Sequence, residues 1–145
     1  MKTKNMVVGL FMMMVALFAT MSCAYADPYW NGDRNYPYAD KTDNAYIYVK
    51  ADSIEVLRRK PYDFKVTIVT VDKEDPNLVY GKQRINIIFY PDTNNPNNKG
   101  KVQYDDDGDG TFRIIDARGR LDYYDRIMIN VLRTAVYCLK IQGRY

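Results

Sequence analysis

The sequence predicts an α+β domain, in which a single twisted antiparallel sheet of five or six strands carries one C-terminal helix on its concave face. Segments of alternating apolar and polar residues, rich in β-branched side chains, follow one another between residues 45 and 116. Turn-forming Asp, Asn, Gly and Pro residues separate these segments. Beyond residue 121 the apolar residues recur at a helical period instead.

The strand pattern is clearest where Val66, Ile68 and Thr70 alternate with a second set that begins with Lys65 and Thr67. Such alternation is typical of a strand with one buried face. The Asn- and Pro-rich residues 91–100 indicate an exposed loop. The predicted strands are residues 45–50, 53–59, 64–71, 78–90, 101–104 and 111–116, the last two of which flank an acidic, glycine-containing hairpin loop.

The C-terminal segment, residues 122–140, is predicted to be a helix. Its apolar side chains fall within an arc of about 200° when they are placed at 100° per residue. Asp122 can cap the first turn, Asp125 favours the positive end of the helix dipole, and Gly143 follows the last turn. The apolar residues of this face are Ile127, Met128, Ile129, Val131, Leu132, Ala135, Val136 and Leu139. The sheet is the available partner for this face.

Residues 1–26 have the three parts of a secretory signal peptide. Lys2 and Lys4 give a positive start, an uncharged and mostly apolar run follows, and Ala24 and Ala26 supply small residues for cleavage. An uncleaved anchor is an alternative, because residues 6–26 are uncharged and just long enough to span a membrane. A lipoprotein attached at Cys23 is a third interpretation, although the preceding residues lack the usual aliphatic side chain.

Cleavage after residue 26 would leave 119 of the 145 residues and, with two lysines removed, a net charge of +1 instead of +3. A chain of this length can form one domain. Residues 27–44 contain one Trp and several Tyr among polar residues, Pro and Gly, which predicts a flexible aromatic N-terminal arm whose rings can pack back onto the domain. Residues 45–145 are predicted to form the single α+β domain, and we expect no stable membrane span after cleavage.

Export would expose the protein to an oxidising compartment. Cys138 would then have no intramolecular partner, since Cys23 leaves with the leader. Cys138 lies at the edge of the apolar helix face, which favours a buried thiol. An intermolecular disulfide is the alternative, and homodimerisation through Cys138 or a sheet edge stays open.

The composition disfavours an enzyme. The chain has no histidine, and beyond the leader it has one serine, Ser53, and one cysteine, Cys138. Imidazole chemistry is thereby excluded, and candidates for nucleophilic catalysis are almost absent. A net charge near zero, together with export, also argues against a nucleic-acid partner. We therefore expect no enzymatic activity and no cofactor other than a metal ion.

One motif has the spacing of a calcium loop. Acidic residues occupy its first, third, fifth and twelfth positions, a glycine occupies the sixth, and a backbone carbonyl is offered at the seventh. The candidate ligands are Asp105, Asp107, Asp109, Thr111 and Asp116. The twelfth residue is Asp rather than Glu, and strands instead of helices flank the loop. A solvated acidic hairpin, in which Asp and Gly serve turn geometry, is the favoured interpretation.

Three stretches give the chain a family resemblance: Tyr48-Val49 with residues 52–56, residues 61–66, and residues 107–115 with their turn, aromatic and basic residues. They resemble small, mostly uncharacterised exported proteins of bacteria with an outer membrane. More remotely, the chain is similar to the surface-adhesin protein E family over residues 46–145. That resemblance implies a curved antiparallel sheet with a C-terminal helix on its concave side, and binding to proteins. A helix-to-sheet disulfide of that family has no counterpart here.

These observations predict an exported, non-enzymatic binding module of the bacterial envelope, in the periplasm or at the cell surface. It would contact protein or glycan through an exposed sheet face and loops, and it could be adhesin-like. One alternative is a periplasmic structural or housekeeping protein without a soluble ligand. The other is a domain that binds calcium weakly through residues 105–116.

Overall fold

The computed structural model describes residues 27–91, 100–116 and 119–145. The predicted signal peptide lies outside the described residues, as does most of the predicted Asn-rich loop. Within them the chain forms six strands and a C-terminal helix, α1, at Tyr123–Ile141. The strands are β1 Tyr38–Lys41, β2 Ala45–Arg59, β3 Tyr62–Asp72, β4 Val79–Tyr90, β5 Lys101–Asp105 and β6 Arg113–Asp116.

The strands form one antiparallel sheet whose spatial order is the order of the chain, β1 to β6. The sheet curls, and α1 packs on its concave face. This confirms the predicted α+β class, the single sheet and the single C-terminal helix. Asp122 caps the helix as predicted, since its carboxylate accepts a hydrogen bond from the Asp125 N–H at 2.7 Å.

The main core lies between the helix and the concave face. Every second residue of the central strands points into it, as the period of a strand requires. Its fully enclosed side chains include Val49, Phe64, Val66, Ile85, Ile87, Ile127 and Val131. The two sequence patterns, alternating in the strands and helical after residue 122, therefore meet in one apolar layer.

Two predicted strands, residues 45–50 and 53–59, are a single strand, β2, with an irregularity in its pairing between Lys50 and Glu55. Ser53 holds the chain together at this point. Its hydroxyl donates to the Lys50 carbonyl at 2.6 Å and accepts from the Thr67 N–H at 2.8 Å. A side chain thus replaces the backbone hydrogen bonds across the bulge. In the sequence, the polar residues at this point look like a break between two strands.

The predicted boundary of the N-terminal arm at residue 44 needs correction. Tyr38–Lys41 form the edge strand β1, paired with β2, and therefore belong to the sheet. The preceding residues are also bonded to β2: the carbonyl of Asn35 accepts from the Ala51 N–H at 2.8 Å, and that of Pro37 from the Val49 N–H at 3.0 Å. The arm lies along β2 because that strand offers it unpaired backbone groups and an apolar surface, and both are tertiary features.

Cys138 is buried, as predicted, and its thiol is free; the described residues contain no second cysteine. Burial raises the pKa of the thiol. Both effects suppress the thiolate, which is the reactive species. In protein that lacks residues 1–26, and with them Cys23, we expect Cys138 to resist Ellman's reagent in the native state and to react fully once denaturant unfolds the chain. Rapid labelling without denaturant, or a dimer band on a non-reducing gel, would contradict this prediction.

Candidate functional site

The predicted calcium ligands lie around the β5–β6 hairpin. Asp105 ends β5, while Asp107 and Asp109 lie in the exposed loop that follows. One carboxylate oxygen from each of these three residues lies within 4.8 Å of the others. The sequence spacing thus brings three acidic side chains together, as the motif predicts.

Each of these carboxylates also accepts hydrogen bonds from backbone N–H groups of the same loop. The two oxygens of Asp105 accept the N–H groups of Gly108 and Gly110 at 2.8 and 2.9 Å. Both glycines have positive φ angles, 78° and 86°, which the turn requires and which favour glycine. Burial raises the pKa of Asp105, but the two N–H groups and the hydrogen bonds from Asp107 outweigh it and lower the pKa. The resulting contribution to stability is present above the pKa of the unfolded carboxyl and is lost as the pH falls through the folded one.

The other two acids act in the same way over shorter spans. Asp107 accepts the Asp109 N–H at 3.1 Å, and Asp109 accepts the Thr111 N–H at 2.6 Å. The N–H of Asp109 lowers the pKa of Asp107, but burial and the neighbouring carboxylates of Asp105 and Asp109 outweigh it and raise the pKa. These are the bonds of a tight polar turn, and they support the acidic-hairpin interpretation.

Asp116 does not lie with the other three carboxylates. In the β5–β6 ladder it pairs with Lys101, four residues before Asp105 at the opposite end of the hairpin. Four strand residues span about 13 Å. The ligand set predicted from the spacing is therefore split, because β6 runs straight away from the turn, whereas the helix of a true calcium loop returns its twelfth residue to the ion.

We expect millimolar calcium to leave the melting temperature of the protein unchanged, because the Asp105 carboxylate is occupied by backbone N–H groups and Asp116 is remote. Calorimetry with and without calcium tests this. A rise of several degrees that disappears in the Asp107→Ala/Asp109→Ala variant would overturn the prediction and assign the loop to a cation.

A second feature lies on the face of the sheet opposite the helix, where no sequence motif marked a site. A groove of about 600 Å³ opens there between the N-terminal arm, the start of β2 and the β3–β4 turn. Its lining residues are Asp27, Trp30, Asn31, Tyr46, Tyr48, Val71, Asp72, Lys73, Glu74 and Pro76. We call it the aromatic groove.

The alternation of side chains along β2 determines which residues form the floor of the aromatic groove. Tyr46 and Tyr48 are two residues apart in β2 and so share one face, and Tyr46 is paired with Val71 on β3. Trp30 reaches this surface from a short 3-10 turn, Trp30–Gly32. Its indole Nε1 donates to the Pro76 carbonyl at 2.8 Å, which ties the arm to the β3–β4 turn.

The aromatic rings of the groove are packed against one another. Trp30 stacks on Tyr48, with a centroid distance of 6.5 Å and an interplanar angle of 28°, and meets Tyr36 edge-on at 5.1 Å. Tyr38 contacts both Tyr46 and Tyr48 edge-on at 6.1 Å. Burial, followed by the charge of Asp27, raises the pKa of Tyr48 to about 12. Its hydroxyl therefore stays neutral at physiological pH.

Acidic groups line the rim of the aromatic groove. Asp72 accepts the N–H groups of Glu74 and Asp75, each at 2.8 Å, and the hydroxyl of Tyr80. The Tyr80 hydroxyl, with the two N–H groups, lowers the pKa of Asp72, so its carboxylate stays charged. Lys73 supplies the ammonium group in the lining of the groove. Its Nζ lies 5.7 Å from the centroid of the Tyr46 ring and donates to the Asp43 carbonyl at 2.8 Å.

A smaller depression at the far end of β2 is basic. It has a volume of about 440 Å³ and is lined by Val56, Leu57, Arg58, Arg59 and Arg144. Arg58 lies 3.6 Å from Asp63, and Arg144 donates to the Ile54 carbonyl at 2.9 Å. The two ends of the long strand β2 therefore carry opposite local charge.

Neither groove contains a nucleophile–base pair. The aromatic groove offers ring faces, carboxylates and one ammonium, and this combination suits binding by stacking, hydrogen bonding or charge. In the sequence, two features point to this groove: Tyr46 and Tyr48 share one face of a predicted strand, and the N-terminal arm contains the single tryptophan. Their meeting depends on three segments that are distant in the chain.

Among the described residues, no helix combines the length and the apolar character needed to cross a membrane. Comparisons of the chain with protein-family models, with curated proteins and with solved structures find no match.

Proposed function

We propose that this protein is an exported, non-enzymatic binding module of the bacterial envelope that contacts protein or glycan through the outer face of its sheet and the adjoining loops. The observation that carries the proposal is the aromatic groove. Aromatic side chains in an open, partly polar depression are the residues that most often anchor a partner. The resemblance to the surface-adhesin protein E family supports an adhesin-like role by analogy.

The chemistry of the aromatic groove favours binding over catalysis. A general acid at neutral pH needs a raised carboxyl pKa, and a general base needs a pKa near the working pH. The pKa of Asp72 is lowered by the Tyr80 hydroxyl and by backbone N–H groups, which suits neither role. Glu74 is exposed at the rim and available to a partner.

A binding screen tests the proposal. The protein, secreted by a host and with its N-terminus read by mass spectrometry, is immobilised and presented with a panel of extracellular-matrix proteins and a panel of bacterial and host glycans. We expect saturable binding to one class. Trp30→Ala should abolish that binding, Glu74→Lys should change it, and Tyr123→Ala on the helix, where the ring is half exposed, should leave it unchanged. Absence of binding to both panels, or equal binding by all variants, would overturn the proposal.

Protease shaving of intact native cells tests the compartment. Release of peptides from the Asp105 to Gly110 turn before the cells are opened would place the domain at the surface and support the adhesin-like role. Protection until the outer membrane is permeabilised would place it in the periplasm. A structural or housekeeping role would then be the better explanation.

A further inference from the structure

The aromatic groove has a local charge opposite to that of the whole chain. Its lining contains three carboxylates, Asp27, Asp72 and Glu74, and one ammonium, Lys73, for a net charge of −2 in the full chain. Cleavage after residue 26 would add the α-ammonium of Asp27 and leave −1. The whole chain carries +3, and +1 once the two lysines of residues 1–26 are removed. Concentrated charge of one sign in a concave surface attracts the opposite sign. The groove is therefore suited to a cationic group.

The aromatic rings of the groove also attract cations. The face of a Trp or Tyr ring carries negative electrostatic potential and attracts ammonium and guanidinium groups. Lys73 already illustrates this in the groove, since its Nζ lies 5.7 Å from the centroid of Tyr46. Trp30 stands beside it, partly exposed, and Tyr48 forms a buried floor. Rings and carboxylates thus favour the same kind of ligand.

The shape of the groove indicates the source of the cation. It is an open depression between three segments, whereas a site for a small molecule normally encloses most of its ligand. A long side chain on a macromolecule can enter such a depression while its backbone stays at the rim. Lysine and arginine have apolar stems that pack on rings and charged tips that reach carboxylates.

From these observations we propose that the aromatic groove binds a lysine or arginine side chain presented by a partner protein. The proposal rests on the binding function proposed above and assigns the chemistry of its ligand. Trp30 and Tyr46 supply ring faces, and the exposed Glu74 supplies the carboxylate that meets the cation. Asp72, whose oxygens already accept the Tyr80 hydroxyl and two N–H groups, contributes its negative charge. Lys73 acts as a competitor, because its ammonium occupies one ring face and reduces the negative charge.

The chain offers a direct probe, because Trp30 is its single tryptophan. Tryptophan fluorescence, excited at a wavelength that the 14 tyrosines do not absorb, therefore reports on the groove. The secreted protein is titrated with acetyl-Gly-Gly-Lys-Gly-Gly-amide, with its arginine counterpart and with a neutral glutamine counterpart. We expect a saturable change with the lysine and arginine peptides and none with the glutamine peptide. No saturable change up to about 10 mM lysine or arginine peptide would overturn the proposal.

Three variants sharpen the test. Glu74→Gln should weaken lysine-peptide binding about threefold, since it removes one rim charge. Lys73→Met should tighten binding about threefold, because it frees the Tyr46 face and removes the competing charge. Glu55→Gln is the matched control: Glu55 is also exposed, but it pairs with Arg84 at 2.8 Å and lies roughly 20 Å along β2 from Tyr48. Unchanged affinity in both groove variants would contradict the proposal.

Two further ligands separate the alternatives. If tetramethylammonium binds as tightly as the peptides, the ligand is a small cation. The proposal that a partner protein presents the cation would then be wrong. A neutral chitin oligosaccharide that changes the fluorescence when the lysine peptide does not would overturn the cationic ligand but leave the binding function standing. If the matrix-protein and glycan panels show no partner but the lysine peptide binds, the proposed binding function is wrong as stated. The proposed ligand chemistry of the aromatic groove is then still supported.

Discussion

Replacement of Asn130 by alanine is expected to lower the free energy of unfolding by about 2 kcal/mol, because it removes the amide that donates to Oδ2 of the buried Asp40 carboxylate, whose other oxygen keeps the Lys41 N–H. Asp40, on β1, is only 8% exposed. Its Oδ2 accepts from the Asn130 amide on α1 at 2.9 Å and lies 3.9 Å from Arg126 Nε. This bond joins the edge strand to the helix. Urea unfolding followed by circular dichroism measures the effect, and the corresponding fall in Tm is about 8 °C.

Asn44→Ala is the matched control, because Asn44 is exposed and, among the described residues, hydrogen-bonds through its backbone carbonyl alone, to the Lys73 N–H. Its effect should stay within about 0.5 kcal/mol. In the Asp40→Ala/Asn130→Ala double variant the loss should be smaller than the sum of the single losses by about 1 kcal/mol, since neither partner is then left alone. Additive losses would show that the two side chains do not stabilise each other.

The same substitution at two neighbouring tyrosines is expected to change stability in opposite directions. Tyr104 is fully buried, and among the described residues its hydroxyl has no hydrogen-bond partner. Tyr104→Phe should therefore raise the free energy of unfolding by about 1 kcal/mol. Tyr124, whose ring centroid is 6.1 Å away, donates to Asp106 Oδ2 at 2.8 Å. Tyr124→Phe should lower the free energy of unfolding by about 1–2 kcal/mol.

The gain from Tyr104→Phe should grow in alkaline solution. Burial raises the pKa of Tyr104 to about 12. An unfolded tyrosine ionises near pH 10, so the unfolded state loses its proton first and the folded state is disfavoured as the pH rises above about 10. The phenylalanine variant lacks this penalty. If both variants lose stability at neutral pH, the Tyr104 hydroxyl has a partner, and the prediction is wrong.

The acidic hairpin shows how far spacing can predict a cluster of side chains. Asp105, Asp107 and Asp109 are near one another because a tight turn keeps alternate residues together, and this is local information. Asp116 is eleven positions after Asp105, and its place depends on whether a strand or a helix follows the turn. The strand β6 carries it away.

The aromatic groove could not be predicted in this way. Residues 27–31, 46–48 and 71–76 contribute to it, and no pattern within one segment encodes the others. The aromatic content of the arm was visible in the sequence, but the surface that it covers was not. Tyr48, Val69 and Val71 form a second apolar cluster on the outer face, with Trp30 packed against it.

The elements that depend on local physics could be predicted from the sequence. Period-two alternation predicted the long strands, the helical period with Asp122 as cap predicted α1, and glycines in an acidic run predicted the β5–β6 turn. Three other features follow from tertiary contacts: Tyr38–Lys41 complete the sheet, Ser53 joins two apparent strands into one, and Trp30 closes a groove. These features depend on apolar surface and free backbone groups that exist only after β2 and β3 have paired, because a residue's partner across the sheet is set by register and not by its neighbours in the chain.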